Sequence, residues 1–160
     1  MVRAPQQKLS SKEKKMKVDA LNQLSDAQAF TATAFSTNTY DSDSAGNDMS
    51  IGEELVLALA VDVAADFTTT DETYTIELVQ SANANLSSPD VLASRTILAA
   101  DLSAGSTHYL PLPQGSKSKR YLGYRATLGG TTPSVTLTAF LQPASMIDKQ
   151  KFYPNNYTIA

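Results

Sequence analysis

Along residues 119–141 apolar and polar positions alternate with a period of two. Leu122, Tyr124 and Ala126 interleave with Tyr121, Gly123, Arg125 and Thr127. After "GGTTP", Val135, Leu137, Ala139 and Leu141 interleave with Thr136, Thr138 and Phe140. This alternation predicts a hairpin of two half-buried strands joined by a glycine turn. The same period places Tyr74, Ile76 and Leu78 inward in "TYTIELVQ". "LVLALAVDV" is apolar on both faces, which predicts a strand buried on both sides. "AQAFTATAF" and "TNTYD" read as strands with a polar break at Ser36. A short strand is expected over 95–98, and another in "THYLPLP", where Pro111 suits a sheet edge. Some eight strands separated by turn-rich segments predict an all-β chain, a two-sheet β-sandwich of the jelly-roll kind over residues 25–142. Residues 1–24 and 143–160 are then extended N- and C-terminal tails. From Ser10 the spacing "SSKE" matches a capping box, with Met16, Ala20 and Leu24 on one face of a short helix.

Charge divides the chain differently. The net charge is −3, but residues 1–20 carry Arg3, Lys8, Lys12, Lys14, Lys15 and Lys17 against Glu13 and Asp19. Between Val18 and Ser94 there is no Lys or Arg. A basic arm on an acidic body marks an interaction tail for an acidic partner. Nucleic acid suits it poorly, since the arm holds no aromatic to stack on bases. A second basic spot is "SKSKRY", with Lys117, Lys119 and Arg120. The C-terminal tail carries Phe152, Tyr153 and Tyr157, aromatic side chains that gain by covering a surface.

Little in the chain is suited to catalysis. There is no Cys and one His, His108, so a metal site would rest on carboxylates, and a structural histidine is expected. No nucleophile turn accompanies it. In "DSDSAGNDMSIGEE", Asp41, Asp43 and Gly46 match three positions of an EF-hand loop. Ala45 and Gly52 fall where ligands belong, however, and Glu53 is one residue late. Glu53 and Glu54 are adjacent and point to opposite faces of a strand, so they form no acid–base pair. The glycine pair of "ATLGGTTP" is a turn, not a phosphate cradle. Asn85 and Asn156 head nominal glycosylation sequons, which matter only on a secretory route. The expectation is a protein that is not an enzyme and has no catalytic residue, metal or cofactor. The longest apolar run, 55–61, is far short of a membrane span, and no secretory signal pattern follows the basic start, so a soluble chain without a membrane partner is expected.

Segment order then carries a resemblance. "LSDAQAFTATAFSTNTYD", a polar loop, and "IGEELVLALAVDVAADF" are followed by "YTIELVQSANANLSSPDVLAS", "HYLPLPQGSKSKRYLGYRATLGG" and "VTLTAFL". Over residues 24–142 the chain resembles the bacteriophage jelly-roll capsid cement (decoration) proteins; the basic arm lies outside that resemblance. It implies a structural virion protein on the outer surface of the capsid, bridging major capsid protein subunits and stabilising the head against DNA pressure. Self-association as a dimer or trimer is expected, and direct nucleic-acid binding is not. The expected capsid contacts are Arg3, Lys8, Lys12, Lys14, Lys15, Lys17, Lys117, Lys119 and Arg120. Tyr121, Arg125, Phe152, Tyr153 and Tyr157 are candidates for oligomer or capsid contact, because Tyr and Arg favour interfaces. The alternative is a carbohydrate- or receptor-binding jelly-roll module of a virion, for which the chain lacks Trp and a working calcium loop.

Overall fold

The computed structural model describes residues 20–43 and 54–147. Its strands are β1 (Gln23–Phe30), β2 (Ala34–Phe35), β3 (Tyr40–Asp41), β4 (Leu55–Val63), β5 (Thr73–Ser81), β6 (Asp90–Ile97), β7 (Thr107–Pro111), β8 (Tyr121–Gly129) and β9 (Val135–Pro143). Helix among the described residues is confined to three short 3-10 segments, Ala20–Asn22, Ala99–Asp101 and Ala144–Met146.

One sheet has the order β1-β9-β4-β7 and the other β2-β8-β5-β6, with β3 also on β8. All pairings are antiparallel. β2 and β3 lie along the same neighbour, at Phe35↔Arg125 and Tyr40↔Leu122, so they act as one interrupted strand. Counted that way, the chain changes sheet at every connection except β5–β6, which is the jelly-roll winding.

Alternation worked where one face is buried. Leu122, Tyr124 and Ala126 of β8 and Val135, Leu137, Ala139 and Leu141 of β9 are core residues, as are Tyr74, Ile76 and Leu78 of β5. β4 is buried on both faces from Val56 to Leu59. Each large apolar side chain so buried contributes about 1.5–3 kcal/mol before entropy is counted. Pro111 ends β7 on the edge of its sheet, where its missing N–H costs no ladder bond.

Three expectations need correction. β8 and β9 are not a hairpin: β8 is flanked by β5 and β2/β3, and β9 by β1 and β4, so neither has a free edge for the other. The glycine turn instead carries the chain from one sheet to the other. Gly130 adopts φ +93°, and a Cβ there would lie 2.5 Å from the Asp71 carbonyl oxygen. Second, the strand expected over 95–98 begins at Asp90. β6 is an edge strand exposed along most of its length, so no apolar alternation announces it. Third, Leu24 belongs to β1 and is fully buried, where a helical face was expected. Ala20 of that face lies in the 3-10 segment Ala20–Asn22, and residues 10–19 of the expected helix lie outside the described residues.

The register defines two poles. Gln23, Leu55, Pro111 and Pro143 align at one end of the first sheet, and Ser81, Asp90 and Tyr121 at the same end of the second. The 3-10 segments at Ala20–Asn22 and Ala144–Met146 also lie at this pole, where the Ala144 N–H donates to the Glu54 carbonyl at 2.7 Å.

Candidate interaction surface

At this tail-bearing pole the segment entering β8 is anchored from below. Gln80, near the end of β5, is 3% exposed. Its Oε1 accepts the N–H groups of Ser118 (2.8 Å) and Lys119 (3.0 Å), and its Nε2 donates to Ser118 Oγ at 3.1 Å. A buried amide with its polar atoms satisfied fixes a loop far better than exposed contacts would. The side chains of Lys117, Lys119 and Arg120 are thereby fixed against β3 and the start of β6.

Each of these cations meets an oxygen of the protein. Arg120 grips Asp41 through Nε–Oδ1 at 2.7 Å and Nη2–Oδ2 at 2.8 Å, and its Nη1 reaches Asp43 Oδ2 at 3.3 Å. Lys119 Nζ pairs with Asp90 Oδ2 at 2.8 Å. Lys117 Nζ donates to Ser42 Oγ (2.8 Å) and the Lys119 carbonyl (3.0 Å). The bidentate Arg120 fork holds the Asp41 carboxyl below the usual carboxylate range. The same bond raises Arg120, while burial lowers the Lys117 ammonium. Between Ser42, Asp43 and residues 117–120 lies an open cleft of about 340 Å³. The Arg120 guanidinium also sits 5.1 Å from the Tyr121 ring centre. The predicted basic spot is therefore an ion-pair clamp that ties three loops together, with most of its charge met internally.

Of the other candidates, Arg125 is elsewhere. It lies midway along β8 on the outer face, where its Nε donates to Glu77 Oε2 at 2.6 Å and its guanidinium covers Phe35 at 5.8 Å. Thr127 Oγ1 donates to the same carboxylate oxygen at 2.7 Å. Arg3, Lys8, Lys12, Lys14, Lys15, Lys17, Phe152, Tyr153 and Tyr157 lie outside the described residues, as does residue 44 onward of the calcium-loop pattern up to Glu53, and Asn156. His108 Nε2 lies 3.2 Å from Ser106 Oγ and 3.0 Å from the Asp101 carbonyl, both local contacts of the turn before β7. Asn85 Oδ1 accepts the Ser87 N–H at 3.1 Å within the β5–β6 connection.

Sequence reasoning missed Asp41 as the partner of Arg120, Asp90 as that of Lys119, and Gln80 as the anchor. The acidic partners stand at strand ends remote along the chain, Asp41 closing β3 and Asp90 opening β6, so no local spacing links them to the basic spot. For Gln80 the polar residue closing an apolar run was the available signal.

No curated protein matches the chain. The model of the Bbp16 family does, over residues 24–141. Those limits run from Leu24 to Leu141, the first and last residues of the buried core. The chain belongs to the Bbp16 family, a phage-related family.

Proposed function

We propose that this protein is a capsid cement (decoration) protein: it binds the outer surface of a tailed-phage shell and bridges neighbouring major capsid protein subunits. The observation that carries this reading is that the sandwich receives both its tails at one pole. Ala20–Asn22 and Ala144–Met146 lie there together, beside the Asp41–Arg120 clamp. A partner facing that pole meets the loops of residues 117–120 and the two points, Ala20–Asn22 and Ala144–Met146, from which the basic and the aromatic segments continue. Several weak contacts tethered to one rigid body reinforce one another by effective concentration. A jelly roll whose sheets share one continuous apolar core suits a mechanical task, since deforming it means separating close-packed side chains. Membership of a phage-related family supports the setting. Self-association as a dimer or trimer would extend the footprint to further subunits, and the virion surface is the corresponding location.

Co-sedimentation of the full chain with empty, expanded shells across a salt series tests the reading. Saturable binding that weakens as salt rises is the expected result, because the basic arm then supplies part of the attraction. Absence of binding at low salt, together with retention on a glycan array, would overturn it in favour of a carbohydrate-binding module.

A further inference from the structure

We propose that Asp71 and Glu72, with Thr69 and Thr131, form a calcium site at the pole opposite the tails. Glu72 is only 5% exposed, although it lies in the connection between β4 and β5. Its Oε1 accepts the Thr69 N–H at 3.2 Å and lies against Thr69 Oγ1. Its Oε2 is buried and has no hydrogen-bond partner. A buried carboxylate oxygen without a donor calls for a water, a proton or a cation. The segments that meet here, residues 64–72 and 130–134, contain no Lys or Arg.

Other oxygens gather beside Glu72. Thr69 Oγ1 has acceptors on three sides: Asp71 Oδ1 at 2.7 Å, the Thr131 carbonyl at 3.1 Å, and Glu72 Oε1. One hydroxyl has one proton and can satisfy one of them. Oxygens from two carboxylates, a hydroxyl and a carbonyl thus converge around Thr69, beside the unpartnered Glu72 Oε2. The far turn also orients the carboxylate, since the Thr131 N–H and Oγ1 approach Asp71 at 3.2 and 3.1 Å.

Calcium fits this set better than its rivals. It takes six to eight oxygens in adaptable geometry, whereas magnesium demands a tight octahedron and transition metals prefer imidazole or thiolate. Among the described residues no three carboxylate or imidazole groups converge, so the site has two acidic ligands and completes its shell with water. That charge count places the affinity in the weak range, about 10⁻⁴–10⁻³ M. An ion here would join the β4–β5 and β8–β9 connections, which belong to different regions of the chain.

Calorimetric titration of the EGTA-treated full chain with CaCl2, beside melting curves in CaCl2 or MgCl2 at matched ionic strength, tests the site. Saturable calcium binding and a rise in Tm of about 3–8 °C at 10 mM CaCl2 are expected, without the rise in MgCl2. E72Q should lose the calcium response, because an amide replaces a ligand carboxylate, while keeping the parent's circular dichroism in EGTA. D71N should weaken binding at least tenfold. Absence of heat and of a Tm shift in the parent, or a full response retained in both variants, would overturn the proposal.

Discussion

Ser25 Oγ and the Tyr124 phenol lie 2.7 Å apart in the core, joining β1 of one sheet to β8 of the other. Ser25 also reaches the Leu137 carbonyl at 3.2 Å. The two bonds form a chain: the phenol donates to the serine, and the serine donates to the β9 backbone. Phe30 packs beside the tyrosine ring, with centroids 5.9 Å apart. Such a bond between buried groups 99 residues apart in the chain pins the sliding of one sheet over the other.

The chain of donors predicts unequal costs for its two ends. Y124F removes one donor and leaves Ser25 with its carbonyl partner, a loss of about 1 kcal/mol. S25A strands a buried phenol and should cost more, about 1–3 kcal/mol. The double variant should cost less than the sum of the two. Urea denaturation of the three variants measures this, and an additive result would mean that the bond contributes nothing as a pair.

Burial pushes the Tyr124 phenol well above the usual tyrosine range. The folded state therefore holds this proton more tightly than the unfolded chain. The resulting stability is complete below the unfolded value near 10 and is lost as pH rises above it. Melting temperature measured from pH 8 to 11 should fall on the alkaline side for the parent and less steeply for Y124F.

Glu77 shows the opposite sign. Its hydrogen bond from Arg125 holds the carboxyl below its ordinary value of 4.5. That stability is present above the ordinary value and is lost as pH falls through the folded one. A partly exposed pair of this kind is worth no more than about 1 kcal/mol. E77Q should flatten the acid limb of the Tm–pH curve while changing Tm little at the acid end.

Gly123 tests packing on the outside of the second sheet. Leu122 and Tyr124 point to the core, so the missing side chain of Gly123 faces outward, where Leu86 covers the strand. A Cβ at position 123 would lie 2.5 Å from Leu86 Cδ1 and 2.9 Å from Ser36 Oγ. G123A should destabilise by about 1–3 kcal/mol through overpacking. In an L86A background the same change should cost clearly less, because the methyl then occupies vacated space. Equal costs in both backgrounds would show that Leu86 is not the obstacle.

The neutral clamp predicts where shell affinity resides. Deleting residues 1–19 should weaken shell binding about tenfold at low salt and leave Tm almost unchanged, because the core starts at Leu24. K119A/R120A should instead lower Tm and alter affinity little, since these side chains are already paired with Asp90, Asp41 and Asp43. The reverse pattern in co-sedimentation would place the contact on the clamp.

Strand character was legible wherever a strand has one wet face and one dry one. Tyr74, Ile76 and Leu78 face the core while Thr73, Thr75 and Glu77, alternating with them, are less buried, and the period of two follows from that difference. β6 escaped because an edge strand wet on both faces leaves no alternation to read. Period also says nothing about neighbours, so β8 and β9 could be recognised as strands and still be joined wrongly. The sites were less legible for a related reason. Arg120 and Asp41 are 79 residues apart, and Thr69 meets Thr131 across 62, so only the winding of the chain brings them together.

The sheet order has a consequence for how this protein is made. β1, the first strand of the described residues to be synthesised, has its place beside β9, the last of them; Ser25 waits 112 residues for Leu137. β4 likewise lacks one neighbour until the same strand arrives. A chain stopped short of β9 keeps two open strand edges, the usual template for aggregation. Folding that is late and slow for the chain's size is the expectation for such non-local contacts, and refolding rates measured by stopped flow check it. Completion of β9 is therefore the step on which closure of both sides of the first sheet depends.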